Sequence, residues 1–214
     1  MKTLNINLFT ASVGVLSIIF SSLIASAEPK GDAKRGAALY GTCAACHGAQ
    51  GTGNKQLNSP AIAGQESWYL ARQLKNFKAG IRGAHPKDTY GAQMRPMSMT
   101  LADDQAISDV VAHIQTFPAP PKETKVLGDA AAGKALYGTC TACHGPAAKG
   151  NKMMNAPSLL NLPSWYMARQ LKHFKEGIRG AHPKDTYGAQ MRGMSMTLAD
   201  DKAIQNVVAY IKSL

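Results

Sequence analysis

The four cysteines of the chain fall in two segments of one form, Cys43-Ala44-Ala45-Cys46-His47 and Cys140-Thr141-Ala142-Cys143-His144, 97 residues apart. Cys-x-x-Cys-His is the attachment sequence of c-type haem. Two thiols at this spacing can add across the two vinyl groups of one porphyrin, and the adjoining imidazole then lies under the iron as an axial ligand. A bare Cys-x-x-Cys also suits a redox disulfide or half of a zinc site. The first needs a βαβ setting, and the periodicity here is helical. The second needs another ligand pair close in sequence. The spacing therefore implies two covalently bound haem c groups. Cys43 and Cys46 hold one, Cys140 and Cys143 the other, and His47 and His144 each supply one axial nitrogen.

The second axial position decides between a carrier and a catalyst. A methionine there gives a filled, six-coordinate iron of raised potential, whereas an open position gives a peroxidase or a gas binder. Each half offers three methionines in the segment directly ahead of its last helix: Met94, Met97 and Met99, then Met191, Met194 and Met196. Spacing does not choose among them. The rivals are His85 and His182, each followed by Pro-Lys-Asp in a turn-like, polar setting that reads as surface. His113 and His173 have no histidine at the matched position and also read as surface residues. The imidazoles of His47 and His144 each need an acceptor for the other ring nitrogen. The loops through Pro60 and Pro157, 13 residues after each histidine, are the candidate source.

Those residues belong to one unit written twice. The offset of 97 holds without a gap, and residues 80–95 recur identically at 177–192. Within each unit a helix starts after Asp32, or Asp129, and runs into the Cys-x-x-Cys-His segment. A polar, Gly-rich loop follows. A second helix after Ser67 sets Leu70, Leu74 and Phe77 on one face. Residues 80–99, rich in Gly and Pro, read as a loop. A last helix near Asp103 carries the stripe Ile107, Val110, Val111 and Ile114, repeated as Ile204, Val207, Val208 and Ile211. No alternating strand pattern occurs, so the expected fold is all-α. The expected division is a signal peptide over 1–27, domains over 28–117 and 126–214, and a Pro-rich linker over 118–125.

Residues 1–27 have the form of an export signal: Lys2, an apolar run from Leu8 to Ile24, and the small-x-small site Ala25-Ser26-Ala27. Export to the periplasm fits the use of all four thiols by cofactor rather than by disulfides. The net charge is +11. Residues 28–118 carry ten Lys/Arg against seven Asp/Glu, a net +3, and residues 119–214 carry thirteen against six, a net +7. A basic surface of this kind favours redox partner proteins with acidic docking surfaces, or peripheral attachment to an anionic membrane. The absence of a basic helix or nucleic-acid motif, together with export, excludes a nucleic-acid role. Lys149, Lys152, Lys172, Lys175 and Lys184 are the candidate contacts, and Lys122, Lys125, Lys134, Lys202 and Lys212 supply much of the excess. Positive charge favours a reduced haem, so the second haem is expected to have the higher potential.

The arrangement resembles two tandem class I cytochrome c domains, and the pair resembles the dihaem "c-four" cytochromes. The resemblance rests on the exported tandem form, Cys-x-x-Cys-His in each half, and a Met-x-x-Met segment seven residues ahead of a Leu-Ala-Asp helix start. It implies that the first methionine of each segment, Met94 and Met191, binds iron. It further implies a periplasmic electron-transfer protein rather than an enzyme, passing single electrons from a respiratory donor to a terminal oxidase or similar acceptor. The alternatives are the dihaem subunit of a flavoprotein dehydrogenase, as in sulfide dehydrogenases, and a dihaem peroxidase.

Overall fold

The computed structural model describes residues 29–214, and the proposed signal peptide lies outside them. The described residues form nine α-helices: α1 Ala33–His47, α2 Ser67–Lys78, α3 Thr89–Met99, α4 Asp104–Ile114, α5 Ala130–Tyr137, α6 Thr141–His144, α7 Ser164–Lys175, α8 Thr186–Ser195 and α9 Asp201–Ser213. Among the described residues there is no β-strand, and two isolated bridges, Asn54 with Ser59 and Asn151 with Ala156, pin matched loops. No described helix is long and apolar enough to cross a membrane.

Two separate cores form. Tyr40, Leu70, Leu101, Ile107, Val110, Val111 and Ile114 pack in the first half. Tyr137, Leu162, Met167, Leu198, Ile204, Val207, Val208 and Ile211 pack in the second. The stripes read from the sequence on α4 and α9 are both buried.

The first and last helices of each half cross almost backbone to backbone. A Cβ on Gly36 would lie 1.9 Å from the Asp109 carbonyl oxygen, and one on Gly133 would lie 1.9 Å from that of Asn206. Glycine is required at both crossings. Asp32 caps α1 and Asp129 caps α5, each through a carboxylate that accepts two backbone N–H groups. The crossing is tied by side chains as well. Asp109 accepts from the Asp32 N–H at 2.7 Å and from Arg35 Nε at 2.8 Å, and Asn206 accepts from the Asp129 N–H at 2.8 Å. These contacts fix the helix that carries the Cys-x-x-Cys-His segment.

The halves differ at that segment. The first is one continuous helix, whereas the second breaks between α5 and α6. Thr141 stands where Ala44 stands in the first half. Its hydroxyl donates to the Tyr137 carbonyl at 3.2 Å, a back-bond that competes with the helical ladder.

Residues 80–99 are not wholly loop. Asp88 accepts from the Gly91 N–H at 3.0 Å and starts α3, which continues through Pro96; Asp185 starts α8 in the same way. Gly91 and the interior Pro96 hid this helix, since both residue types oppose helical reading.

The linker is held to the second half. Glu123 accepts from the backbone N–H of Ser164 at 2.7 Å, so it caps α7, whose own N-cap Pro163 has no side-chain acceptor. Lys212 Nζ lies 3.5 Å from the same carboxylate and donates to the Leu160 and Leu162 carbonyls.

Candidate cofactor site

Each Cys-x-x-Cys-His histidine is buried, 6% exposed in both halves, and each ring is held by the loop read from the sequence. The Nδ1 atoms of His47 and His144 lie 2.8 Å from the Pro60 and Pro157 carbonyl oxygens. The carbonyl fixes the tautomer and leaves Nε2 free for a metal. Burial lowers the pKa of both imidazoles, keeping them neutral and able to ligate. The turn after each histidine is pinned from the core. The Tyr40 hydroxyl donates to the Gly48 carbonyl and that of Tyr137 to Gly145, both at 2.7 Å, and burial pushes each phenol up to about 12.

In the second half a cleft of about 150 Å³, open to solvent, brings the sequence-identified residues together. Cys140, Cys143 and His144 line one side, and Met191 and Met194 line it from α8. Leu159, Leu162, Met167, Phe174 and Val207 give it an apolar wall, and Arg72 of the first half, Arg179 and Asp185 add charged groups to the lining. Met191 is half-buried, Met194 is 37% exposed and Met196 is 62% exposed. The first half repeats the order, with Met94 half-buried and Met97 and Met99 exposed. His85 and His182 each accept a backbone N–H two residues on, in their own turns, and His182 lies outside the lining of the second-half cleft.

The donor set fits covalent haem c. It offers two free thiols, an imidazole with Nδ1 committed, and thioethers across an apolar slot. Among the described residues no three His, Cys, Asp or Glu side chains converge as a metal cluster would require.

The family model described as cytochrome c matches this sequence twice, over residues 33–118 and 130–214. The chain belongs to the cytochrome c family. Its tandem form places it with the cytochrome c4 proteins. Cytochrome c4 of Stutzerimonas stutzeri is 33% identical over 200 residues, covering 88% of this chain and 91% of that one. The thiosulfate dehydrogenase electron acceptor of S. stutzeri strain A1501 is 31% identical, covering 80% and 78% respectively. The crystal structure of reduced recombinant cytochrome c4 from Pseudomonas stutzeri superposes with a TM-score of 0.65 at 30% identity, covering 86% of this chain and 99% of that one. This cytochrome therefore carries haem c in each half, in an all-α tandem fold.

The halves of the cytochrome meet through matched side chains. Arg82 donates to Gln73 at 2.7 Å within its half, and across the junction to Tyr166 at 2.7 Å and Gln170 at 3.0 Å. Arg179 mirrors it, donating to Gln170 at 2.7 Å and across to Tyr69 at 3.2 Å and Gln73 at 3.0 Å. Arg82, Gln73, Arg179 and Gln170 form a closed ring, and Tyr166 and Tyr69 each attach to one of its arginines. Each arginine also stacks 4.5 Å from a phenylalanine of its own half, Phe77 or Phe174. The ring is not visible from either unit alone, although its residues lie in the repeated segments.

Two sequence expectations need correction. His173 is not at the surface: its ring is 14% exposed and lies 3.7 Å from buried Asp88 of the other half. Burial lowers its pKa against the pull of that carboxylate. The basic surface is also smaller than the charge count suggests. Lys212 is buried and Lys175 is half-buried, donating to the Leu198 and Ala199 carbonyls. Lys149, Lys152, Lys184 and Lys172, the last beside Asp201, remain exposed, as do Lys122, Lys125, Lys134 and Lys202.

Proposed function

We propose that this dihaem cytochrome is an electron carrier of the periplasm and not itself an enzyme. It would be exported by a signal over residues 1–27 and pass single electrons from a respiratory donor to a terminal oxidase or similar acceptor. In this reading the domains span 28–117 and 126–214. Haem is held by Cys43 and Cys46 in one and by Cys140 and Cys143 in the other. The iron ligands are His47 with Met94, and His144 with Met191.

The observation that carries the reading is the second cleft, where His144 and the half-buried thioether of Met191 line one apolar space with both thiols. When bound, haem supplies a one-electron ferric–ferrous couple, whose potential a thioether ligand raises. The chain's own residues do the rest. Pro60 and Pro157 orient the imidazoles, Tyr40 and Tyr137 hold the turns, and the apolar lining excludes water from the metal. With both axial positions filled by side chains, no position is left for substrate, which favours carrier over peroxidase. The exposed lysines attract acidic partner surfaces and speed encounter, with anionic lipid as the competing target.

The test is a redox titration with a spectrum of the oxidised protein. It should show two one-electron steps and low-spin iron in both states, with a sulfur-to-iron charge-transfer band. High-spin iron in either half would overturn the ligand set. A second reading, the electron acceptor of a sulfur-compound dehydrogenase, is favoured by the relative named thiosulfate dehydrogenase electron acceptor. Native purification separates the two: a free carrier elutes alone, and an acceptor held in a complex elutes with its dehydrogenase.

A further inference from the structure

The two histidine sites are nearly copies, yet a carboxylate from the first half reaches the second. Glu66 Oε1 accepts from the Ser158 N–H at 2.8 Å, across the junction between halves. That N–H and the Pro157 carbonyl belong to one peptide group, and the carbonyl oxygen lies 2.8 Å from His144 Nδ1. The order is therefore carboxylate, peptide, imidazole. The other carboxylate oxygen, Oε2, is buried and without a partner, so water does not screen it. Nothing equivalent serves His47. Its ring nitrogen meets the Pro60 carbonyl at the same 2.8 Å, but the residue matched to Glu66 is Pro163, which has no charge.

We infer that Glu66 is a positioning residue for the opposite half, where its charge, relayed through the Pro157–Ser158 peptide, lowers the reduction potential of the second haem and leaves the first unaffected. The inference rests on His144 being an axial ligand, as proposed above.

The physics has one sign throughout. An anion accepting from a peptide N–H draws charge toward the carbonyl oxygen, because hydrogen-bonded groups in series polarise one another. A more negative carbonyl is a better acceptor for the ring N–H and makes the imidazole a more basic ligand. A basic ligand and a nearby negative charge both favour the oxidised, more positive iron. This runs against the expectation from net charge, in which the +7 of the second half raises its potential. Those charges are largely exposed and screened within about 10 Å at 0.1 M salt, whereas the carboxylate is part-buried beside the site with one oxygen out of solvent. The relay also separates two haems that a duplicated sequence would otherwise make alike.

The test uses the haem-loaded protein and the variants Glu66→Gln and Glu66→Ala, with each haem followed by NMR during redox titration. Glutamine keeps a carbonyl acceptor for Ser158 and removes only the charge. Both variants should raise the second haem's potential, by about tenfold in the one-electron equilibrium, or about 59 mV. The first haem should not move. The shift should persist at high salt, and the His144 ring N–H resonance should move while that of His47 stays. Three results would overturn the inference: an unmoved second haem in Glu66→Gln, an equal shift of both haems, or a shift that salt removes. The wild-type spectrum is read first. High-spin iron there would overturn the His/Met ligand set on which the inference rests, a failure distinct from a normal spectrum with an unmoved potential.

Discussion

Replacing Arg82 with glutamine should loosen the junction between the halves by a measurable and predictable amount. Arg82 gives two of its hydrogen bonds to the other half, to Tyr166 at 2.7 Å and Gln170 at 3.0 Å, and is 9% exposed. Hydrogen bonds to a charged group contribute about 1.5–3 kcal/mol each. The two share one guanidinium, and Gln170 keeps its bond from Arg179, so the effects do not add fully. The expected loss is about 3 kcal/mol of coupling between halves. The assay is calorimetric unfolding of the haem-loaded protein. Wild type should unfold in one transition, and the variant should resolve an earlier one. A double-mutant cycle with Tyr166→Phe isolates the pair and should return about 1–2 kcal/mol. A coupling below about 0.5 kcal/mol, within the range of independent sites, would refute the ring as the device that joins the halves.

Gly36→Ala should lower the unfolding temperature of the first half by about 5 °C or more, since a Cβ 1.9 Å from the Asp109 carbonyl forces α1 and α4 apart; an unchanged melt would contradict the backbone-to-backbone crossing. Asp109 gives a pH dependence. The Arg35 guanidinium, donating at 2.8 Å, holds its carboxyl well below the usual range. Its folded pKa is thus lower than its unfolded value of about 3.9, so its stabilisation is present above that pH and lost as pH falls through the folded value. Asp109→Asn should flatten the acid sensitivity of the first half, because Asn206 makes the same backbone contact in the second half without a charge; melts at neutral and acid pH that keep the wild-type difference would contradict this. Oxidation by a membrane fraction containing a terminal oxidase should slow as ionic strength rises, and a rate indifferent to salt would remove electrostatic docking.

The parts of the molecule visible in its sequence are those whose signals are local. Cys-x-x-Cys-His fixes its own geometry within one turn of helix, and the stripes on α4 and α9 follow from helical period. Pro60 and Pro157 were findable because a ligating imidazole demands an acceptor. Helix α3 was hidden by Gly91 and Pro96, which tertiary packing overrides, although Asp88 with Gly91 three residues on is a capping signal. The Arg82–Arg179 ring, the His173–Asp88 contact and the reach of Glu66 to Ser158 join residues 84 to 110 positions apart. They exist only once two copies of a unit dock. Lys212 shows the same limit, since its charge counts toward a basic surface until the fold buries it against Glu123.

The most direct test of the central claim, one His/Met iron site per half, is the oxidised spectrum and haem-resolved titration of Met94→Ala and of Met191→Ala. Each variant should lose the sulfur-to-iron charge-transfer band of one haem and lower that haem's potential, leaving the other as in wild type. Retention of the full band in both variants would contradict the assignment and transfer the ligand role to another side chain.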